Sequence, residues 1–377
     1  MTNSPPDEFQ GIVQPPVRVL ITGGGTGGHV YPGLAVADAI ERLAPGSEVR
    51  FAGTKRGIES VLVPRAGYRL TTLPASGLRG LTGRARLMFL VNFFLGFCRS
   101  LWMFLLWRPR VVLGTGGYVS APVMLAARAL GITCALQEQN AIPGSTNRLV
   151  ARWAKRIYLG FGAAARYFKE DRCRETGNPV RAAFLGAAQP GESPPAGAGK
   201  NLLIFGGSRG AATLNKAVAA AASVWGTRED MRILAQTGPG QRQEVADAFG
   251  PDPACRVEVD SYIEDMATAL LAADLVVCRA GAMTLAELQA TGRPAILVPF
   301  PFATDDHQLR NAEDCARAGA AVVLRDEACT GEALVALVDE LLNDTPRLRA
   351  MSVAARGLAR PKAAEDIACD ILRLAGV

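Results

Sequence analysis

The stretch Val17-Arg-Val-Leu-Ile-Thr-Gly-Gly-Gly-Thr-Gly-Gly28 decides the fold of this chain. Its first half is a short apolar run typical of a buried strand, and its second half is a glycine-rich turn. A helical pattern begins near Pro32, a residue type favoured in the first turn of a helix, and continues to Leu43. Strand, glycine loop and helix in this order predict one unit of a parallel α/β fold.

The same order returns twice further along the chain. Arg110–Gly114 is an apolar run that leads into the loop Gly114–Gly117, and Asn201–Phe205 leads into the loop Gly206–Gly210. Residues 189–200 are rich in proline and glycine, as a surface loop would be. Strands that alternate with helices form parallel sheets covered on both faces. The sequence therefore predicts an α/β fold of two Rossmann-like parallel-sheet domains.

Length and composition limit the class of protein. The chain has 377 residues, 49% hydrophobic and 20% charged, which excludes disorder and a small disulfide scaffold and predicts two domains. A net charge of +6 with 6% aromatic residues and no Lys/Arg-rich block argues against nucleic acid and fits an anionic small molecule or a membrane surface. The eight cysteines form no Cys-x-x-Cys pair, and residues 1–16 show no apolar signal core, so we expect an intracellular protein with reduced thiols.

The three glycine loops indicate phosphate binding. A glycine turn lets backbone N–H groups approach a phosphate, and the following helix N-terminus adds partial positive charge. One such loop is often only a tight turn, but three directly after apolar strands make that explanation weak. No Walker lysine follows them, no acidic residue stands where a Rossmann dinucleotide site needs one, and no Asp-x-Asp pair occurs. We expect a phosphate-bearing ligand, its nucleotide unspecified, and no bound metal or other cofactor.

Two histidines occur in the chain, His29 at the end of the first glycine loop and His307 after a strand end. Both lie where the carboxyl ends of parallel strands would place a ligand crevice. A histidine there is either structural or a candidate for acid–base chemistry, and His29 is the candidate for that chemistry.

A second conspicuous stretch, Leu87–Trp107, is long enough to span a bilayer. Twelve of its residues are Leu, Phe or Val, whereas Arg99 adds a cost of about 2.5 to 3.5 kcal/mol to insertion. A spanning helix would separate the first glycine loop from the other two. We therefore predict one helix, or two hinged near Gly96, partly buried in the domain and partly at a membrane surface; a core helix is the alternative. The flanking arginines suit anionic headgroups. They are Arg79, Arg84, Arg86, Arg108 and Arg110.

Seven motifs between Val17 and Leu374 resemble those of the MurG family, the UDP-N-acetylglucosamine–N-acetylmuramyl-(pentapeptide) pyrophosphoryl-undecaprenol N-acetylglucosamine transferases. The motifs are Gly24-Gly-Thr-Gly-Gly-His-Val-Tyr-Pro-Gly33, Gly114-Thr-Gly-Gly-Tyr-Val-Ser120, Gln137-Glu-Gln-Asn140, Gly177-Asn-Pro-Val-Arg181, Gly206-Gly-Ser-Arg-Gly-Ala211, Cys278-Arg-Ala-Gly-Ala-Met-Thr-Leu-Ala-Glu287 and Asp305-Asp-His-Gln-Leu-Arg-Asn-Ala312. The resemblance implies a GT-B glycosyltransferase with its active site in the cleft between two Rossmann-like domains. It implies an N-terminal acceptor and membrane-facing domain over residues 1–178, a C-terminal helix over 360–377 packed back on it, and a UDP-sugar-binding domain over 179–359.

The resemblance also implies a reaction and a location. The family transfers N-acetylglucosamine from UDP-N-acetylglucosamine, with inversion, to the carbon-4 hydroxyl of undecaprenyl-diphosphate-N-acetylmuramyl-pentapeptide. This step converts lipid I to lipid II in peptidoglycan synthesis. It would place the protein peripherally on the cytoplasmic face of the cell membrane. Its partners would then be UDP-N-acetylglucosamine, the polyprenyl-diphosphate-linked muramyl-pentapeptide and an anionic membrane surface. Other cell-wall synthesis proteins would be further partners, which the residues do not identify.

Site residues carry over from the family's motifs, position by position. The resemblance implies that Asn140 hydrogen-bonds the donor sugar, and that Arg181 and Ser208 contact the nucleotide and its phosphates. The donor sugar and diphosphate would also meet Thr26, Gly27 and Gly28.

The remaining implied contacts concern the uracil, the ribose and the transfer of the acceptor's proton. Ile263 would meet the uracil through its backbone, and Gln308 would read the carbon-4 hydroxyl of the sugar. His29 is the first choice for the base that takes the acceptor's proton, and Glu138 is the second. The diphosphate and ribose would be lined by Ala282, Met283, Thr284, Leu285, Ala286 and Glu287.

Other functions stay open on these residues. A UDP-N-acetylglucosamine epimerase or a diacylglycerol glycosyltransferase would share the architecture and differ in the reaction or the acceptor. A non-catalytic, membrane-docked subunit that recruits a partner transferase would need no complete donor site.

Overall fold

A computed structural model describes residues 16–77, 82–185, 200–207, 210–303 and 306–377. The chain forms two compact units. The first comprises the residues up to Arg181 together with Arg360–Val377, and the second runs from Ala182 to Ala359. The C-terminal residues thus belong to the same unit as the N-terminal half of the chain.

The first unit is built on a parallel sheet. Its strands are β1 Arg18–Gly23, β2 Glu48–Gly53, β3 Arg69–Thr72, β4 Val111–Gly116, β5 Thr133–Glu138, β6 Arg156–Leu159 and β7 Cys173–Glu175. Within the described residues they form one seven-stranded sheet in the order β3-β2-β1-β4-β5-β6-β7, with all neighbours parallel. Successive side chains of a strand point to opposite faces, so Val19 and Ile21 enter one core and Leu20 the other.

Helices cover both faces of this sheet, as a parallel sheet requires. They are α1 Gly27–Leu43, α2 Glu59–Arg65, α3 Gly83–Trp107, α4 Ser120–Ala129 and α5 Ser145–Val150. The loops after β1 and β4 both lie at the carboxyl edge of the sheet. Chain connections leave β1 and β4 in opposite directions, and ligands bind at such a switch point in open α/β sheets.

The second unit repeats the architecture. Its strands are β8 Lys200–Phe205, β9 Met231–Gln236, β10 Arg256–Asp260, β11 Leu275–Cys278, β12 Ala295–Leu297 and β13 Ala321–Val323. The described strands form a six-stranded parallel sheet in the order β10-β9-β8-β11-β12-β13. Its helices are α6 Ala212–Trp225, α7 Arg242–Ala248, α8 Met266–Ala272, α9 Ala282–Thr291, α10 His307–Arg317, α11 Gly331–Leu342 and α12 Thr345–Leu358. The switch point here lies between β8 and β11.

The last helix, α13 Ala363–Leu374, belongs to the first unit. Ile367 and Ile371 are fully buried in the core that also holds Ile40 of α1. The buried carboxylate of Asp370 accepts hydrogen bonds from Arg156 Nε and from the hydroxyl of Tyr158, each at 2.9 Å. Strand β6, which carries both donors, is thereby fastened to the C-terminal helix.

Helix α3 is one continuous helix, so the alternative of two helices hinged near Gly96 is wrong. Gly96 is buried beside the carbonyl of Pro74, where a Cβ would come within 2.8 Å of the oxygen. A glycine in the middle of the helix therefore permits close packing on the unit, not a bend. At the far end, Trp107 Nε1 donates to Glu48 Oε2 at 2.7 Å and anchors the helix.

The opposite face of α3 is apolar and exposed. The most apolar 18 residues of α3 have a mean hydropathy of 1.8, and only 17% of them are buried. Among the helices that the structure describes, α3 alone has the length and composition of a membrane span. We call this exposed face the α3 apolar face. It comprises Leu87, Met88, Leu90, Val91, Phe94, Leu95, Trp102, Leu105 and Leu106.

Candidate functional site

The first two glycine loops interlock at the switch point of the first unit. Gly117 has a left-handed backbone (φ +81°), and a Cβ there would come closer than 3.0 Å to the carbonyl oxygen of Gly24. The hydroxyl of Ser120 donates to the carbonyls of Thr22 (3.0 Å) and Gly116 (2.8 Å). Because only glycine tolerates this approach, the two loops form one backbone surface at the carboxyl edge of β1 and β4.

His29 lies in the first turn of α1, whose N-cap residue is Thr26. Its imidazole packs on Gly116, where a Cβ would come within 2.9 Å of Cδ2, and Thr115 Oγ1 donates to its carbonyl at 2.7 Å. Burial lowers the pKa of His29 to about 4, against the opposing charge of Glu59. The imidazole is therefore neutral near pH 7 and able to accept a proton. Its buried Nδ1 makes no hydrogen bond to the described residues.

Glu138 ends β5 and is buried beneath the loop that follows. Its carboxylate accepts the backbone N–H of Asn140 at 2.9 Å, the side-chain amide of Asn147 at 2.7 Å and the N–H of Gly144 at 3.3 Å. Burial raises the pKa of Glu138, and these hydrogen bonds lower it by less. Both carboxylate oxygens thus hold the loop that presents Asn140, while the role of Glu138 as alternative base stays a prediction.

A chain of buried amides connects that loop to its surroundings. Gln139 Nε2 donates to the carbonyl of Thr115 at 2.7 Å and also contacts the side-chain oxygen of Gln137. Gln137 Nε2 donates to Asn178 Oδ1, and Asn178 Nδ2 to the carbonyl of Gln139, each at 2.9 Å. The residues therefore join the Asn140 loop to β4, beside His29. Sequence reasoning missed these contacts, although two glutamines at the end of an apolar strand, Gln137 and Gln139, were a usable signal, since buried polar groups need partners.

Arg181 lies in the first unit, at the end of its N-terminal part. Its guanidinium is 4.5 Å from the ring centroid of Tyr31 in α1. This cation–π contact holds the arginine beside the helix that begins with Gly27 and Gly28. The first unit thus brings together the loop residues Thr26–Gly28, His29, Asn140 and Arg181.

The second unit has its own polar edge at the switch point between β8 and β11. Gln236, at the end of β9, is buried; its Nε2 donates to the carbonyl of Gly207 at 3.0 Å and its Oε1 accepts the N–H of Ile263 at 2.9 Å. The backbone of Ile263 is thereby tied to the third glycine loop. Ser208 lies outside the described residues.

The run Ala282–Glu287 forms the first turns of α9, with Gly281 as N-cap. Ala282, Met283 and Leu285 are buried, so they offer a ligand little beyond backbone. Thr284, Ala286 and Glu287 are half-buried. A helix N-terminus with free N–H groups suits a diphosphate, and a carboxylate one or two turns on suits a ribose diol.

Gln308 is the second residue of α10. Its Oε1 accepts the N–H of Phe300 at 3.0 Å, so the side-chain oxygen is held by the loop after β12. The loop that holds it is fixed by Arg279, which donates to the carbonyls of Val298 and Pro299 at 3.2 Å and pairs with Asp326.

Within the ranges that the structure describes, no group of three or more His, Cys, Asp or Glu side chains could hold a metal ion. The polar groups at the two switch points are amides, hydroxyls, backbone N–H groups, an imidazole, carboxylates and arginines. This chemistry suits phosphates and sugars.

Comparison with known proteins gives matches over nearly the whole chain. The model of the glycosyltransferase family 28 N-terminal domain matches residues 19–159, and that of the family 28 C-terminal domain matches residues 201–367. A protein of Geobacter metallireducens named UDP-N-acetylglucosamine--N-acetylmuramyl-(pentapeptide) pyrophosphoryl-undecaprenol N-acetylglucosamine transferase is 42% identical, over 94% of this chain and 98% of its own length. A protein of Anaeromyxobacter sp. (strain K) with the same name is 42% identical, over 93% and 91%.

Solved structures give the same picture. The crystal structure of Acinetobacter baumannii MurG has a TM-score of 0.75 and 32% identity, covering 95% of this chain and all of that one (100%). A crystal structure of UDP-N-acetylglucosamine 2-epimerase has a TM-score of 0.69 at 16% identity, covering 96% and 97%. The second likeness concerns the fold alone.

Proposed function

The chain belongs to the MurG family of glycosyltransferases, and from this premise we propose that it moves N-acetylglucosamine from UDP-N-acetylglucosamine to the carbon-4 hydroxyl of undecaprenyl-diphosphate-N-acetylmuramyl-pentapeptide. The observation that carries this proposal is the 42% identity over 94% of the chain to a transferase of that name. The three glycine loops and the sugar-suited amides at both switch points support it.

The second unit is the donor half in this proposal. The carbonyl of Ile263 accepts the N–H of uracil, and the N-terminus of α9 holds the diphosphate. Glu287 accepts the ribose hydroxyls, and Gln308 donates its amide to the carbon-4 hydroxyl of the sugar. Ser208, in the third glycine loop, is the further phosphate contact that the family's motif implies.

The first unit contributes the base and further contacts. His29 takes the proton of the acceptor's carbon-4 hydroxyl as its oxygen attacks the anomeric carbon, which inverts and releases UDP. Thr26, Gly27 and Gly28 offer backbone N–H groups to the donor sugar and diphosphate. Asn140, held by Glu138, hydrogen-bonds the sugar, and Arg181 stabilises the departing diphosphate.

The α3 apolar face is the membrane contact in this proposal. A helix that buries one face in its own domain and exposes a continuous apolar face lies along a membrane surface and does not cross it. The exposed arginines near its ends, Arg84, Arg86, Arg108 and Arg110, meet anionic headgroups. Arg79 lies outside the described residues. The protein would thereby be peripheral on the cytoplasmic face, where it meets a lipid-linked acceptor.

The test is UDP release by the purified protein. UDP-N-acetylglucosamine is supplied with and without a polyprenyl-diphosphate-linked N-acetylmuramyl-pentapeptide, and the product is analysed for the disaccharide. Release that depends on this acceptor, together with the disaccharide, is the expected result. Release with diacylglycerol instead would assign another acceptor, conversion of the donor alone would indicate an epimerase or hydrolase, and UDP binding without any turnover would indicate an accessory subunit.

A further inference from the structure

A buried carboxylate lies beneath the first glycine loop. Glu59, the first residue of α2, is 1% exposed. Its Oε2 accepts the N–H of Gly25 at 2.9 Å, and its Oε1 accepts the N–H and the hydroxyl of Thr54 at 2.8 and 2.7 Å. The carboxylate therefore connects the end of β2 directly to the loop that precedes α1.

Three glycines leave the space that this carboxylate fills. A Cβ at Gly24, Gly53 or Gly57 would come closer than 3.0 Å to the side chain of Glu59. We call this enclosure the glycine socket. Since backbone surrounds the side chain, the position of the carboxylate under the loop is determined by the main chain and not by flexible neighbours.

Support of the loop does not by itself require a charge. An ionised carboxylate costs several kcal/mol to bury. A glutamine of nearly the same size keeps one acceptor oxygen and sets its N–H₂ against the backbone N–H of Gly25 or of Thr54. The charge of Glu59 acts on His29, whose pKa it raises against the effect of burial. The imidazole itself packs on the backbone of Gly116.

We propose that Glu59 is a positioning residue for the transfer: it holds the first glycine loop in place and supplies the negative charge that stabilises His29 once the imidazole has accepted a proton. The inference rests on the proposed function. In that reaction the O–H bond of the acceptor breaks as its oxygen bonds the anomeric carbon. The bond from that carbon to the diphosphate breaks with its electron pair on UDP, and the proton passes to His29. The carboxylate held beneath the same loop then stabilises the imidazolium in a buried setting, where charges interact strongly.

The experiment compares Glu59→Gln, which keeps the length, removes the charge and exchanges one acceptor oxygen for N–H₂, with Glu59→Asp, which keeps the charge and shortens the side chain. Thr54→Val is the matched control, because it removes one hydrogen bond to the carboxylate and leaves the charge. We expect Glu59→Gln to lower kcat about 10-fold or more, with KM for UDP-N-acetylglucosamine changed less than about 3-fold. Glu59→Asp and Thr54→Val should retain more kcat than Glu59→Gln.

A second measurement does not depend on activity. Since the chain has two histidines, a ¹³C-histidine NMR titration resolves His29 from His307. Loss of the neighbouring negative charge disfavours the imidazolium, so the midpoint of His29 should fall in Glu59→Gln and stay near the wild-type value in Thr54→Val. Thermal unfolding and UDP binding identify any variant that has lost its fold.

Either of two results would overturn the proposal. One is a folded Glu59→Gln variant that keeps at least as much kcat as Glu59→Asp; the other is a His29 midpoint that coincides in Glu59→Gln and wild type. A wild-type protein that releases no UDP with the acceptor would instead refute the proposed function, while the NMR titration still tests the coupling of Glu59 to His29.

Discussion

At the scale of single residues, His29 combines features that a proton acceptor needs. Burial lowers its pKa to about 4, so the imidazole is neutral near pH 7. Its position depends on Gly116, which lets the ring lie against the backbone of the second glycine loop. The position of His29 therefore depends on a residue of another strand, Gly116 at the end of β4.

We expect His29→Ala to lower kcat roughly 100-fold or more, the usual effect of removing a general base. Binding of UDP should be nearly unchanged, because the residues proposed to hold the nucleotide are mostly in the second unit. Steady-state turnover and calorimetry of UDP binding measure the two quantities. Near-normal turnover in a folded His29→Ala protein would show that His29 is not the general base, and Glu138 would become the candidate.

Local features of the site could be predicted from the sequence, whereas hydrogen bonds between distant residues could not. Glycine loops after apolar strands are local patterns, so their place at the strand ends was predictable. The start of α1 was not, because the helix begins at Gly27 and not near Pro32, so His29 lies in its first turn and not in the loop. The hydrogen bonds of Glu59 to Gly25 and of Gln236 to Gly207 join residues far apart in the chain, and no local pattern indicates such pairs. Which residues contact the substrates stays a prediction.

At the scale of elements, the two interlocked glycine loops should be sensitive to a single methyl group. Gly117→Ala would force a left-handed backbone on alanine, at a cost of about 1–2 kcal/mol, and would push Cβ against the carbonyl of Gly24. We expect lower stability in urea unfolding and a loss of turnover. Gly144→Ala is the control, because its φ is −63° and a Cβ there meets nothing within 4 Å. Equal effects of the two substitutions would contradict the interlocking of the loops.

A second prediction at this scale concerns how helix α13 is anchored to the first unit. Removing the carboxylate of Asp370 leaves Arg156 and Tyr158 without their shared acceptor, and breaking a buried ion pair costs about 3–5 kcal/mol. We expect Asp370→Ala to lower the free energy of unfolding by about that amount, measured by denaturant unfolding. Asp366→Ala, at an exposed position of the same helix, should change it by about 0.5 kcal/mol or less. Similar losses in both variants would show that the buried pair is not the anchor.

Helix α3 was predictable from the sequence in part only. The apolar stretch Leu87–Trp107 was predictable as a helix because its length and composition are extreme. Its continuity through Gly96 was not, since glycine in a sequence is equally typical of a hinge and of close packing. The neighbouring chain around Pro74 decides between these two, and that contact is tertiary.

At the scale of the whole molecule, the α3 apolar face should determine where the protein resides. Phe94 and Trp102 are 63% and 65% exposed, so a glutamate at both positions would place two charges in the membrane contact without disturbing the core. We expect the Phe94→Glu/Trp102→Glu protein to lose most of its binding to vesicles that contain anionic lipid, measured by co-flotation.

The matched control lies in the second unit. Val353 on α12 is apolar and 71% exposed, so Val353→Glu makes the same kind of change away from α3. Its vesicle binding should equal that of the unaltered protein. Undiminished binding of the double variant, or an equal loss in Val353→Glu, would argue against α3 as the membrane contact.

The return of α13 to the first unit has a consequence for synthesis of the chain. Residues Ile367, Ile371 and Leu372 complete a core whose other members, such as Ile40, leave the ribosome far earlier. The second unit, contained within Ala182–Ala359, is translated in full before the first one has all its parts. During that interval the outer surface of α1 is uncovered apolar surface, of the kind that chaperones bind. A premature stop after Glu175 and before Arg360 would therefore leave the earlier-made domain unfinished, even though every strand of its sheet had been translated.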